Sequence, residues 1–183
     1  ADGSAIAFFE SGEGAGERAV SYYRKTDGSP AVKLGNISRP RLSPDGKSVV
    51  GYVPQTAELA IVPIGPGEAR RIPLPGFTVN NVEWQPDARG VVFSGNEAGH
   101  GLRLYVMEFG GGKPRPITAE GVAGAPVVSP DGKFVTAVQP SGQVILVPLA
   151  GGDPVICQGL EAGERPYAWT ADGTALYVMS RGT

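Results

Sequence analysis

The sequence predicts an all-β chain folded as a β-propeller of four-stranded antiparallel blades, and three observations support this. A short turn motif recurs four times along the 183 residues, and its aspartates are separated by 42, 44 and 41 positions. Between the turns lie short apolar runs, several of which alternate apolar and polar residues as half-buried strands do. A period of roughly 40 to 45 residues with four strands per unit is the sequence signature of propeller blades. We therefore expect four to five repeats of about 42 residues, as part of a larger propeller.

The repeats divide the chain into five units of a single propeller domain, which spans residues 1–183. The expected units are 1–36, 37–78, 79–121, 122–162 and 163–183, of which the first and the last are truncated. A full unit is expected to contain strands a to d, with strand a before the turn motif and strand b after it. Strand a is expected at 40–42, 82–84, 126–128 and 167–169. No segment has a helical period of useful length.

The turn motif is explained as the hairpin corner between strands a and b. It reads Ser43-Pro44-Asp45-Gly46, Gln85-Pro86-Asp87-Ala88, Ser129-Pro130-Asp131-Gly132 and Thr170-Ala171-Asp172-Gly173. Proline presets φ, the aspartate accepts hydrogen bonds from nearby amides, and the glycine takes the left-handed conformation. The spacing places one carboxylate on each blade, so a structural role is expected rather than metal or acid–base chemistry. The structural turn residues are Asp45, Gly46, Asp87, Asp131, Gly132, Asp172 and Gly173.

One corner departs from the motif. Ala88 stands where the other repeats have glycine, and Gly90 follows two positions later. We expect this corner to be built differently, with Gly90 taking the left-handed bulge.

A large apolar residue stands directly before the motif in every repeat. These residues are Leu42, Trp84, Val128 and Trp169. Because they share one repeat position, we expect them to fill the space between adjacent blades.

Composition excludes two classes of partner. The net charge is −2, with 16 Lys and Arg against 18 Asp and Glu. A nucleic-acid surface needs clustered cations, so we expect no nucleic-acid partner. No apolar run approaches the roughly 18 residues that a membrane span requires, and we expect no membrane insertion.

The search for catalytic and metal-binding motifs is negative. The single histidine, His100, lies between two glycines in the loop that joins strands b and c, and no Gly-x-Ser-x-Gly motif is present. One histidine and one cysteine, Cys157, are too few for a zinc site. We expect no catalytic residues, no metal and no cofactor, and Cys157 is expected to be a buried apolar residue on strand d.

The residues resemble a known repeat family. The corner Leu42-Ser43-Pro44-Asp45-Gly46-Lys47, followed by Leu104-Tyr105-Val106-Met107, Gly111-Gly112 and Pro116-Ile117-Thr118, is similar to the TolB-like (WD-like) propeller repeat of bacteria. The resemblance covers essentially the whole chain. It implies a non-catalytic module that binds a protein or peptide, and it favours a periplasmic or extracytoplasmic location.

A narrower likeness leaves a second function open. The stretches 10–14 and 24–35 are similar to propeller regions attached to acidobacterial-type serine/threonine kinases. TolB-like repeats also form the gating domain of prolyl oligopeptidase-type enzymes. The alternative to an interaction or sensory module is therefore an accessory domain of a kinase or peptidase whose catalytic domain lies outside this chain.

The truncated repeats allow two arrangements. In the first, the chain is an arc of a larger propeller, and its terminal strands lack neighbours. In the second, the strand near Trp169 returns to complete the first blade and closes a four-bladed ring. The arc is preferred, because closure would leave the strand at 175–179 over. Unpaired edges in an arc predict a homo-oligomer joined through the terminal repeats.

Overall fold

The computed structural model describes residues 3–12, 16–161 and 163–180. These residues form sixteen β-strands and no helix, and every strand pair is antiparallel. The strands lie in five sheets, and in each sheet neighbours in sequence are neighbours in space. The all-β fold predicted from the repeats is confirmed. Since the described residues contain no helix, none of them forms a helix that could cross a membrane.

The five sheets correspond to five successive blades. The first blade contains β1 (Ala5–Gly12), β2 (Gly16–Lys25) and β3 (Val32–Gly35). The second contains β4 (Ser38–Leu42), β5 (Ser48–Val53), β6 (Glu58–Pro63) and β7 (Arg70–Pro73). The third contains β8 (Phe77–Trp84), β9 (Gly90–Glu97), β10 (Arg103–Glu108) and β11 (Arg115–Pro116). The fourth contains β12 (Phe134–Val138), β13 (Val144–Pro148) and β14 (Val155–Ile156), and the fifth contains β15 (Arg165–Trp169) and β16 (Leu176–Met179).

The fourth blade differs from the sequence expectation. Strand a was expected at 126–128, but isolated bridges alone connect this segment to β12. Pro126 has no N–H to donate, and the Val127 N–H donates instead to the Thr136 hydroxyl at 3.2 Å. The backbone donors of a regular ladder are therefore missing here, and the segment remains irregular.

Three apolar clusters hold the blades together, and each lies between two neighbouring blades. The clusters form because β5 and β9 are buried on both faces, so that successive side chains enter different clusters. In β9, for example, Phe93 lies in the cluster shared with the second blade, whereas Val92 lies in the cluster shared with the fourth. The third cluster packs Ala7 and Leu34 of the first blade against the second. The core therefore runs along the blades and not inside a single sheet.

The connections of the blades lie at two ends. Antiparallel order places the aspartate corners and the c–d turns at one end of each blade. The b–c loops and the links from one blade to the next lie at the opposite end, which we call the linker end. His100 lies at the linker end.

The first and fifth blades do not pair with each other. β15 pairs with β16, while β1 is an edge strand with β2 on its one paired side. The Trp169 indole N–H donates to the Val127 carbonyl of the fourth blade at 3.2 Å. Within the described residues, β15 therefore does not complete the first blade, and the blades form an arc and not the closed four-bladed alternative.

Candidate interaction surface

The aspartate corners are closed by hydrogen bonds within each motif. Asp45 Oδ1 accepts from the Ser43 hydroxyl at 2.6 Å and from the Lys47 amide at 3.0 Å. The Ser43 hydroxyl oxygen in turn accepts from the Ser48 amide at 2.9 Å, which joins the corner to β5. Gly46 has φ of 70°, in the left-handed region. The carboxylate thus satisfies donors of its own turn.

The same network recurs in two further corners. Asp131 accepts from the Ser129 hydroxyl and the Lys133 amide, and Asp172 from the Thr170 hydroxyl and the Thr174 amide. Gly132 and Gly173 have φ of 70° and 71°. The hydroxyl bond, then the amide bond, lowers the pKa of each carboxyl, and that of Asp172 falls to about 2. A carboxylate that accepts several hydrogen bonds is stabilised in its charged form.

The corner at Ala88 corrects the sequence expectation. Ala88 itself takes the left-handed conformation, with φ of 57°, and Gly90 does not. Asp87 still accepts from the Arg89 amide at 3.0 Å, as in the other corners. Gly90 is required for a different reason, because a Cβ at this position would collide with the Met107 carbonyl of β10.

The residues before the corners lie at blade boundaries. Trp84 is buried, and its indole N–H donates to the Arg41 carbonyl of the second blade at 2.9 Å. Trp169 makes the equivalent bond to Val127. Leu42 and Val128 are half-buried, and they pack against the clusters shared with the first and third blades, respectively.

Two neighbouring strands carry polar side chains that bond across a blade boundary. β4 and β8 are the edge strands of the second and third blades, and they contact each other. Since blades fan apart with distance from the axis, such strands are the ones nearest the central channel. Arg39 donates to the Asn81 side-chain oxygen at 3.2 Å, and Arg41 forms an ion pair with Glu83 at 3.2 Å. We call Arg39, Arg41, Asn81 and Glu83 the inner-strand row.

The environment of each charge in the row differs. Burial raises the pKa of the Glu83 carboxyl, and the Arg41 guanidinium opposes that shift. Asn81 is half-buried and donates to the Ser94 hydroxyl at 3.3 Å, which orients its amide. Arg39 is exposed, and no carboxylate pairs with it among the described residues.

The backbone at Arg39 is strained. Ser38 pairs with Tyr52 and Arg41 with Val50, so Arg39 and its neighbour form a β-bulge. Arg39 has φ of 51°, which is rare for a bulky side chain. Pro40 follows, and a residue before proline is driven toward extended conformations. This position is therefore unfavourable on two counts.

A cavity of about 400 Å³ lies beside the row, between the first and second blades. It is lined by Ala7, Phe8, Phe9, Arg39, Pro40 and Arg41. Phe9 is half exposed, and the two guanidinium groups lie on the opposite side of the cavity from the first blade. The cavity thus combines cationic groups with an accessible aromatic ring.

A larger cavity of about 580 Å³ lies between the third and fourth blades, beside the corners of Asp87 and Asp131. Its charged groups are engaged within the chain. Asp131 pairs with Lys133 at 3.3 Å, and Arg115 donates to the Leu149 carbonyl at 2.9 Å. The inner-strand row is the better candidate, because the Arg39 guanidinium has no ionic partner among the residues that the structure describes.

His100 has a partner that sequence reasoning missed. Its Nδ1 lies 2.9 Å from Glu120 Oε1, which is also 3.6 Å from the Arg103 guanidinium. The His100 bond, then the Gly101 amide, lowers the pKa of the Glu120 carboxyl. The contact joins a b–c loop to the link between the third and fourth blades. Twenty residues separate the pair, and no local motif predicts that contact.

Metal-binding groups are not gathered in the described part of the chain. No cluster of three or more His, Cys, Asp or Glu residues is found in these ranges. Cys157 lies just beyond β14, where it is half-buried and its pKa is raised by burial.

No family model matches the chain, and no curated protein matches it in sequence. Solved structures do match. TolB from Acinetobacter baumannii has a TM-score of 0.71 and 21% identity, over 98% of this chain and 49% of that one. A protein assigned as TolB from Agrobacterium tumefaciens has a TM-score of 0.74 and 20% identity, over 100% of this chain and 72% of that one. The chain therefore spans about half of one TolB structure and about three quarters of the other.

Two further solved structures come from other classes of protein. A chain of a nidogen/laminin complex matches with a TM-score of 0.69 and 11% identity, over 98% of this chain and 68% of that one. Hydrazine synthase from Kuenenia stuttgartiensis matches with a TM-score of 0.61 and 18% identity, over 87% of this chain and 55% of that one. Identities this low carry the fold and not the function. The fold of this chain is that of a TolB-like β-propeller.

Proposed function

We propose that the chain is a non-catalytic module that binds a protein or peptide partner. The observation that supports this best is the inner-strand row, in which two neighbouring blades present bonded polar side chains beside a cavity. Rigid sheets hold these groups in place, and side chains fixed on a rigid scaffold recognise partners with a small ordering cost.

The fold comparisons support the proposal without deciding it. One neighbour comes from a nidogen/laminin complex, and a complex is by definition an assembly of chains. Another neighbour is an enzyme, hydrazine synthase, and folds of this kind host unrelated functions. The proposal is therefore drawn from the geometry of the row and not from the neighbours.

Peptide display tests the proposal. The purified chain would be immobilised and a random peptide library selected against it, and enriched peptides would then be titrated in solution. We expect saturable binding, with the peptides recovered intact by mass spectrometry. Hydrolysis of peptide or ester substrates that disappears in His100→Ala would contradict the non-catalytic proposal.

A second candidate is an accessory domain of an enzyme, either a serine/threonine kinase or a prolyl oligopeptidase-type peptidase. The match to part of hydrazine synthase favours keeping this candidate, because that protein is an enzyme whose chain includes a segment of this fold. The flanking parts of the reading frame test it. We expect either a kinase catalytic loop or a Gly-x-Ser-x-Gly domain there, and the candidate fails if neither is present.

A further inference from the structure

We propose that the cavity beside Arg39 binds a peptide carboxylate, with Arg39 as the cation that receives it. This inference rests on the proposed function and names the chemistry of the partner. The ligand class is an acidic peptide segment with an apolar residue next to its carboxylate. The carboxylate comes either from an Asp or Glu side chain or from the C-terminus of the partner.

The backbone of Arg39 supports a role beyond packing. A left-handed arginine directly before a proline is disfavoured, and glycine or asparagine would fit the same φ with less strain. Backbone strain of this kind clusters at ligand-binding positions, where the surrounding structure holds it in place. The bulge turns the Arg39 side chain toward Asn81 of the next blade, and the side chain contributes to no apolar cluster.

The hydrogen bonds of the row leave Arg39 with spare donors. A guanidinium has five N–H groups, and one of them bonds to the Asn81 oxygen. Asn81 is itself held by Ser94, so the guanidinium is anchored at one edge. Arg41 differs, because Glu83 already neutralises it. Among the described residues, Arg39 is thus the cation of the row that has capacity for a bidentate carboxylate.

The opposite wall of the cavity provides the apolar part of the site. Phe9 of β1 is 50% exposed, and it lines the same cavity as Arg39. An exposed ring on one wall and a guanidinium on the other fit a ligand with an apolar side chain beside a carboxylate. A volume of about 400 Å³ is within the range of small-ligand sites and suits one or two side chains.

NMR titration of the isotope-labelled chain tests the proposal. The probe is acetyl-Gly-Glu-Phe-Glu-Gly-amide, added to millimolar concentration, with the glutamine counterpart as its uncharged match. A third peptide has glutamines and a free C-terminus, which separates the two sources of the carboxylate. We expect the acidic or the free-carboxylate peptide to shift the Arg39 side-chain signal and those of Phe9 and Asn81, and the uncharged match to leave them unchanged.

Three variants separate recognition from folding. Arg39→Gln should weaken binding roughly tenfold to a hundredfold, because a charge-assisted hydrogen bond is lost. Arg39→Gly should lose binding equally while its melting temperature stays the same or rises, because glycine relieves the left-handed strain. The matched control is Arg71→Gln, an exposed arginine of β7 that pairs with Glu58, and it should bind as the original chain does.

Two outcomes would overturn the proposal. The first is that no carboxylate peptide shifts the row at millimolar concentration. The second is that Arg39→Gln and Arg39→Gly bind the acidic peptide as tightly as Arg71→Gln. If peptides from the display selection bind with affinity independent of Arg39, the interaction function stands and this site assignment fails.

Discussion

At the scale of single residues, the corner motif joins backbone conformation to charge. Gly46 and Ala88 occupy equivalent positions, and both are left-handed, with φ of 70° and 57°. For an L-residue this conformation costs about 1–2 kcal/mol. Ala88 packs against the cluster between the second and third blades, a contact that offsets part of the cost.

The first prediction concerns these glycines. Gly46→Ala and Gly132→Ala should each lower the free energy of unfolding by about 1 kcal/mol, because the new Cβ is placed at a left-handed φ. Steric contact adds little, since open space surrounds Gly46 and the atom closest to a Cβ at Gly132 is Pro86 Cδ at 3.6 Å. Urea unfolding measures the change. Gly110→Ala is the control, because Gly110 has an ordinary φ and open surroundings; a loss equal to that of Gly46→Ala would contradict the explanation.

The second prediction concerns acid stability. The folded pKa of Asp172 is about 2 against an ordinary value of 3.8, and those of Asp45 and Asp131 are lowered too. A lowered folded pKa contributes stability that is present above the unfolded pKa and is lost as pH falls through the folded value. We expect the free energy of unfolding to fall between pH 3.8 and about 2. Asp172→Asn keeps an oxygen acceptor without the charge, so its decline should be shallower in urea titrations; parallel declines would contradict this.

The sequence predicts these corners well because each is closed by bonds within six residues. It fails at Ala88 because propensity favours Gly90, whereas the close approach of the Met107 carbonyl decides what Gly90 does. The inner-strand row is not predictable either. Its bonds join residues 42 positions apart, such as Arg39 and Asn81, and they exist only once two blades lie side by side.

At the scale of elements, a tryptophan joins each of two blade boundaries to the strand before it. Trp84 and Trp169 donate to carbonyls 43 and 42 residues earlier, close to one repeat length. The repeat position predicts the boundary location, but the hydrogen bond depends on the indole. The aliphatic residues Leu42 and Val128 have no such donor.

The third prediction compares the two tryptophans. Trp84→Phe should lower the free energy of unfolding by about 2 kcal/mol, because a buried side chain loses volume and its bond to the Arg41 carbonyl. Trp84 also packs edge-to-face on Phe109 at 5.5 Å. Trp169→Phe should cost about 1 kcal/mol, since Trp169 is half-buried. Urea unfolding followed by circular dichroism measures both, and a larger loss at Trp169 would contradict this order.

At the scale of the whole molecule, stability depends on neighbouring blades. Each apolar cluster is shared by two blades, so an inner blade is supported on both sides and a terminal blade on one. The exposed large apolar residues follow this order. Tyr167, Tyr177 and Met179 of the fifth blade are 66%, 60% and 56% exposed, whereas Phe93 and Tyr105 of the third are fully buried.

The last prediction concerns association of this chain. β1 and β16 each have one unpaired edge, and unpaired edges template pairing with other chains. We expect light scattering to show a dimer or higher oligomer joined through the first and fifth blades. Tyr177→Lys should weaken association by placing a charge on the exposed face of β16, while Leu102→Lys in the loop before β10 should leave it unchanged. A monomer over a wide concentration range would show that the terminal blades are stable with open edges.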